Sequence, residues 1–155
     1  MPPFEIESLQ SLKQWEGREF PATEWFTLTQ GRIDKFADAT EDHQWIHVDP
    51  ARAARESPFG GCIAHGFLTL SLVSYFLKQV LRVRAGVGMS INYGLNKVRF
   101  PSPVLAGSAV RARVSLLSVT ETVGFMDATF LIHVEAKSSE KPCCVAEWLV
   151  RYYPR

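Results

Sequence analysis

HGFLTLSLVSYFLKQVLRV, residues 65–83, is the stretch whose reading decides the fold. Its apolar residues stand at 67, 68, 70, 72, 73, 76, 77, 80 and 81, a spacing that predicts one helix over 65–83 with apolar groups on nearly every side. A helix that is apolar all round is buried all round. In a chain of 155 residues the rest of the sequence must therefore wrap it. The strongly apolar part, Phe67–Leu77, is too short to span a bilayer.

The wrapper reads as strands. Val87–Tyr93 and Asn96–Phe100 are strand-like. In Ala109–Val119, Val110, Ala112, Val114 and Leu116 alternate with Arg111, Arg113 and Ser115. Phe125–Val134 and Val145–Tyr152 alternate in the same way. Period-two alternation predicts antiparallel strands with one buried face and one wetter face. Upstream, 5–16 reads as a short helix, Trp25–Thr29 as a strand and Gln30–Ala39 as a helix. Asp49-Pro50 opens another short helix. SPFGG, 57–61, is a turn-rich break. Helices segregated from strands indicate an α+β fold, one domain over 1–155, with a curved antiparallel sheet around a central hydrophobic helix.

A net charge of +1 offers no electrostatic case for a nucleic-acid partner. The acidic start MPPFEIESLQ lacks the plan of a signal peptide, so the expected location is cytoplasmic, with no membrane partner. Cys62, Cys143 and Cys144 read as buried free thiols. The adjacent pair points to opposite faces of a strand, and the spacing suits no zinc site.

The polar counterpart to the apolar helix is ATEDHQWIHVDP, 39–50. A loop of that length can bring the Asp42 carboxylate and the His47 imidazole to one point. Imidazole exchanges a proton near pH ~6.5, and a neighbouring carboxylate can orient a water or fix one tautomer. His65-Gly66 lies where the apolar helix begins, among backbone N–H groups without helical partners. Gly66 lets a substrate oxygen approach its own N–H closely, as an oxyanion hole requires. A base, a carboxylate and an oxyanion donor suit reversible addition of water to an α,β-unsaturated thioester.

DHQWIH, 42–47, resembles the D-x-N-P-L-H signature of the MaoC-like family of R-specific enoyl-CoA hydratases. VDPARAA and IAHGFLTLSL resemble the family's continuation, and INYGLNKVRFPSPVLAGS, 91–108, its strand pair and P-V-x-x-G turn. The pattern is most similar to the NodN-like branch and covers roughly residues 20–153. The resemblance implies a hot-dog fold, a homodimer, and hydration of trans-2-enoyl-CoA to R-3-hydroxyacyl-CoA without a metal or redox cofactor. It places Asp42 and His47 on the catalytic pair, Gly66 on the oxyanion glycine and Ser74 on a supporting serine. Gln44 and Trp45 depart from the signature: Gln44 stands for Asn and reaches further, and Trp45 stands for Pro and adds bulk.

In this reading His47 and Asp42 hold the attacking water, with His47 as base, and which member returns the proton to C2 stays open. His65 caps or orients the helix start. Trp45, Phe67, Tyr93, Gly94 and Asn96 are candidates to border the substrate, with a strand bulge as the other account of Gly94. His43 and His47 are four apart but lack an HExxH glutamate and a helix, so no metal is expected. His133 reads as surface. Lys97, Arg99, Arg111 and Arg113 suit CoA phosphates or solvated strand faces. Two further functions remain open, an acyl-CoA thioesterase and a non-catalytic acyl-binding protein.

Overall fold

The computed structural model describes every residue from Met1 to Arg155. Its centre is a five-stranded antiparallel sheet in the order β2-β5-β6-β7-β4, built from β2 (Phe26–Thr27), β4 (Val87–Arg99), β5 (Ala109–Thr122), β6 (Phe125–Ala136) and β7 (Cys144–Pro154). The sheet curls over two helices, α4 (Gly66–Ser71) and α5 (Val73–Val80), with α4 packed on β7 and α5 on β5. This is the hot-dog arrangement. No helix is long and apolar enough to cross a membrane.

The alternation in the sequence sets the inner face. Val110, Ala112, Val114 and Leu116 of β5 are buried, as are Ala128, Phe130, Ile132 and Val134 of β6 and Cys144, Ala146, Trp148 and Val150 of β7. One register shift, between Leu116 and Ser118, moves the inward role from an even to an odd position, so that Val119 closes the strand's buried row. Arg111, Arg113 and Arg151 stand on the outer face, paired with Glu135, Glu19 and Asp127.

Three expectations need correction. The helix over 65–83 is two short helices. The Leu72 N–H bonds back only three residues, to Thr69 O at 3.2 Å, which tightens the turn between α4 and α5. Nor is this pair buried all round: Leu68, Val73, Phe76 and Val80 face the sheet, while Phe67 and Tyr75 are 68% and 45% exposed. The helix stops at Val80, and Leu81–Ala85 becomes strand β3, because LRVRA alternates and finds a parallel partner in β1 (Phe4–Ser8).

That partner corrects the second expectation. Residues 5–16 are no helix: FEIES alternates Phe4 and Ile6 against Glu5 and Glu7 and extends as a strand, and only Leu12–Trp15 coils, as one 3-10 turn. Third, the two strands expected over 87–100 are one, β4, whose register against β7 shifts at Asn92/Gly94 and Leu95/Lys97. Gly94 is a bulge residue with open space around it.

Candidate active site

Helix α1 (Gln30–Thr40) is capped by the Thr29 side chain, which accepts from Arg32 N, and ends at Glu41 in the left-handed conformation, φ 58°. The chain reverses there and enters the loop 41–44. Helix α2 (Trp45–Val48) follows, then α3 (Pro50–Glu56), with Asp49 capping α3 through Arg52 N at 2.9 Å. Trp45, in place of the proline of the family signature, lies under the Arg52 guanidinium at 4.3 Å. That stack and the Asp49 cap fix the segment where a proline ring would have restricted it.

One turn of α2 carries His47 inward, where it is 7% exposed. Its backbone is held at both ends: N–H donates to Gln44 O at 3.0 Å, and Gln30 Nε2 donates to His47 O at 2.6 Å. Nδ1 lies 2.7 Å from Ile63 O. A carbonyl only accepts, so Nδ1 carries the proton and the neutral ring keeps a lone pair on Nε2. Burial pushes the His47 pKa below its ordinary value, and His65 pushes the same way. The Ile63 bond and the Asp42 charge oppose them. The net result favours the neutral, proton-accepting ring.

His65 stacks on His47 with ring centroids 3.8 Å apart and planes 24° apart. It occupies the residue before α4 but makes no capping bond with its side chain. Nε2 donates across to Asp42 O at 3.0 Å and lies 3.9 Å from Asp42 Oδ2. Asp42, His47 and His65 therefore form one cluster, their nearest polar atoms within 4.8 Å of one another. The expected pair comes together with a third member between its parts.

A cleft of about 260 Å³ opens on His47, Gly66, Thr69, Phe59, Phe100 and Cys143. The N–H groups of Gly66 and Phe67 have no acceptor within the protein. A Cβ on Gly66 would sit 3.1 Å from Phe100 Cγ and Cδ1, so the glycine is what allows that ring against the helix start. Each histidine of the cluster spends one ring nitrogen as a donor to a carbonyl, His47 Nδ1 to Ile63 O and His65 Nε2 to Asp42 O, which leaves the lone pairs on His47 Nε2 and His65 Nδ1.

The other candidates scatter. Phe67 stands outside the cleft, edge-on to Phe100 at 6.0 Å. Ser74 lies farther along the helices, 3.5 Å from Asn92 Oδ1, and with Gly94 borders a separate pocket of about 220 Å³ between α4–α5 and β4. Tyr93 turns to the outer face, where the Arg151 guanidinium lies 3.6 Å from its ring centre, so it is no neighbour of His47. Asn96 is exposed on β4. Gln44 acts through its backbone, receiving His47 N–H and donating to Asp42 Oδ1 at 3.4 Å. His43 pairs with Asp38 at 2.9 Å, away from the cluster, and that contact raises its pKa. Sequence reasoning missed Phe100, Thr69 and Phe59 as cleft residues. Phe100 was visible only as the aromatic before a proline.

A model of the MaoC like domain matches residues 12–138. Over 148 residues the chain is 52% identical to 3-hydroxyacyl-thioester dehydratase Z of Mycobacterium tuberculosis, covering 95% of this chain and 97% of that one. Nodulation protein N of Rhizobium leguminosarum is 47% identical over 145 residues, 92% of this chain and 89% of that one. The solved (R)-hydratase from A. caviae, involved in PHA biosynthesis, superposes with a TM-score of 0.66 at 26% identity, over 87% of this chain and 94% of that one. The curled sheet on two helices is thus shared with a solved hydratase, and about half of the sequence with a named dehydratase: the chain belongs to the MaoC-like family and is a hydratase/dehydratase, a hydro-lyase.

Proposed function

We propose that the protein catalyses R-specific, reversible hydration of trans-2-enoyl-CoA to R-3-hydroxyacyl-CoA. The observation that carries this reading is the His47 tautomer. Nδ1–H is spent on Ile63 O, which leaves an acceptor nitrogen in a cleft that also holds the unpartnered Gly66 N–H. A water held by His47 and Asp42 gives a proton to His47 Nε2 as its oxygen bonds C3. The C2–C3 π pair moves toward the thioester, whose oxygen gains negative charge and receives the Gly66 N–H. C2 then takes a proton from the same cluster, on the face that received oxygen, and the C=O reforms. No electron leaves the substrate, so the reaction calls for no redox cofactor, and in this reading the Gly66 N–H supplies the polarisation of the thioester oxygen.

The names of the similar proteins support a thioester substrate. One is a 3-hydroxyacyl-thioester dehydratase and another an (R)-specific enoyl-CoA hydratase. We also propose a homodimer. Strand β4 ends the sheet with one side unpaired, and Met89, Ile91 and Leu95 on it are exposed. A mass in solution equal to one chain at assay concentration refutes that part.

The test is crotonyl-CoA hydration, followed as loss of enoyl absorbance, with wild type, Asp42→Asn and His47→Gln side by side and chiral analysis of the product. R-3-hydroxybutyryl-CoA from the wild type, and its loss in both variants, is expected. Release of free CoA thiol without hydration would make the protein a thioesterase. Neither activity, across a series of chain lengths, would leave an acyl-binding protein.

A further inference from the structure

We infer that His65 is a positioning residue, which sets Asp42 for the reaction while the other contacts of the loop set His47. The inference rests on the hydratase reading above and deepens it.

The two members of the pair are anchored unequally. His47 is held by three bonds, to Gln44 O, Ile63 O and Gln30 Nε2. Asp42 has a half-exposed side chain, and its only local bond is the 3.4 Å contact from Gln44 N. Its one tie to the helical half of the site is the His65 Nε2–H donated to Asp42 O. His65 itself cannot wander. It is 3% exposed, with its ring between His47 at 3.8 Å and Phe36 at 5.0 Å.

The orphan nitrogen points the same way. His65 Nδ1 is buried without a partner. A phenyl ring would pack between Phe36 and His47 without stranding a polar atom, so packing does not account for an imidazole here. Capping does not either, because the ring makes no bond to the first turn of α4. What the imidazole adds over a phenyl is one N–H aimed at Asp42. A loose carboxylate would still bind substrate but would seldom stand where the attacking water needs it, so the cost falls on kcat rather than KM.

The experiment compares wild type, His65→Phe and His65→Gln in the full-length protein. Phe keeps the ring and removes the donor; Gln restores an N–H at similar reach. Amide hydrogen exchange of residues 41–45 and steady-state kinetics on crotonyl-CoA are read together. For His65→Phe we expect exchange faster by about tenfold at Gln44, whose N–H donates to the Asp42 carboxylate, kcat lower by about a hundredfold and KM within about threefold. For His65→Gln we expect at least a tenfold recovery of kcat. His65→Asn, whose amide stops short of Asp42 O, replaces the Phe variant if that variant does not fold.

Unchanged exchange in the variant lacking the donor overturns the inference. So does kcat within about threefold of wild type, or an equal loss with Gln and Phe. If wild type hydrates no enoyl thioester, the hydratase reading fails by itself, and the exchange measurement still decides whether His65 holds Asp42.

Discussion

Gly66→Ala tests whether the opening of α4 is built around a backbone donor or merely packs well. The new Cβ would lie 3.1 Å from both Cγ and Cδ1 of Phe100 and 3.3 Å from Cδ2. Carbon atoms rest at about 3.5–4.0 Å, so the ring, the helix start or both must give by about 0.5 Å. Phe100 is 40% exposed and its aromatic neighbour Phe67 is 68% exposed, so the ring can move toward solvent cheaply. The strain in the fold is then at most about 1 kcal/mol, and the better helix propensity of Ala offsets part of it. For a chain of this length that is a shift in Tm of at most about 4 °C. The site has less tolerance. Complete loss of an oxyanion donor costs about 2.7–4 kcal/mol. A displacement of the helix start by about half an ångström should forfeit roughly half of that, about 1.4–2 kcal/mol, a fall in kcat of about tenfold to thirtyfold. Crotonyl-CoA kinetics and thermal melts of Gly66→Ala, Phe100→Leu and the double variant close the cycle. If the collision is the cause, Phe100→Leu recovers activity in the Ala background, with a coupling of at least about 1 kcal/mol. Activity of Gly66→Ala within twofold of wild type, or strict additivity, would refute the reasoning.

The remaining expectations can be read in the same preparations. Asp42→Asn and His47→Gln should each lower kcat by about 10²–10⁴; the half-exposed Asp42 should leave the melting temperature close to wild type, whereas His47→Gln disturbs a buried bond to Ile63 O and should cost about 1–3 kcal/mol. The His47 pKa is lowered by burial, so the unfolded chain binds a proton that the native state resists below pH ~6.5. Stability should therefore fall as pH drops through that window, and the acid limb of kcat/KM should lie below ~6.5; a limb above it would contradict the buried neutral ring. Burial pushes the Cys143 thiol up to about 12 and Cys144 to about 11. Iodoacetamide at pH ~8 should modify neither in the folded protein and both in denaturant, as mass spectrometry would report. Phe76→Ala, which empties a fully buried site between α5 and the sheet, should cost about 3–5 kcal/mol and lower Tm by about 6–20 °C.

The strands were legible because their chemistry is local. VRARV names its own buried face, and β5, β6 and β7 lie where alternation puts them. The long helix was overdrawn for the opposite reason. Phe67 and Tyr75 are apolar and exposed, and residue type alone cannot tell a core side from a face left for a partner or substrate. LRVRA continued the apolar spacing of α5, so only the parallel pairing with FEIES, some 77 residues away, made it a strand. At the site, Asp42, His47 and Gly66 were visible as types at suggestive spacing. Tyr93 was misplaced because a bulge at Asn92/Gly94 decides which way the neighbouring side chains point, and bulges are set by the partner strand. The role of His65 was hidden because adjacency to a helix start suggested a cap, whereas its ring reaches 23 residues back to Asp42.

How the two halves of the site meet depends on a segment with no chemistry of its own. Ile63 N–H donates to Ile46 O at 3.0 Å, which ties residues 62–64 to the helix that carries His47. On its other edge the same segment pairs with the turn after β4: Ala64 N–H donates to Val104 O and Ala106 N–H to Cys62 O, both at 2.8 Å. The turn is closed by Gly107, at φ +86°, whose N–H donates to Leu28 O at 2.7 Å. PSPVLAG is therefore the brace that fixes Ile63 O, the acceptor that chooses the His47 tautomer, and it delivers Phe100 against Gly66. A residue with a Cβ at 107 would strain that turn and move the acceptor rather than the base. Gly107→Val should accordingly lower kcat at a pH where His47 is neutral, because the ring could then carry its proton on either nitrogen. Histidine ring nitrogen shifts would report the change directly: a single Nδ1–H form in the wild type and a mixture of tautomers in the variant. A variant that keeps the single form yet loses activity would mean that the brace acts on the Phe100 side of the cleft instead.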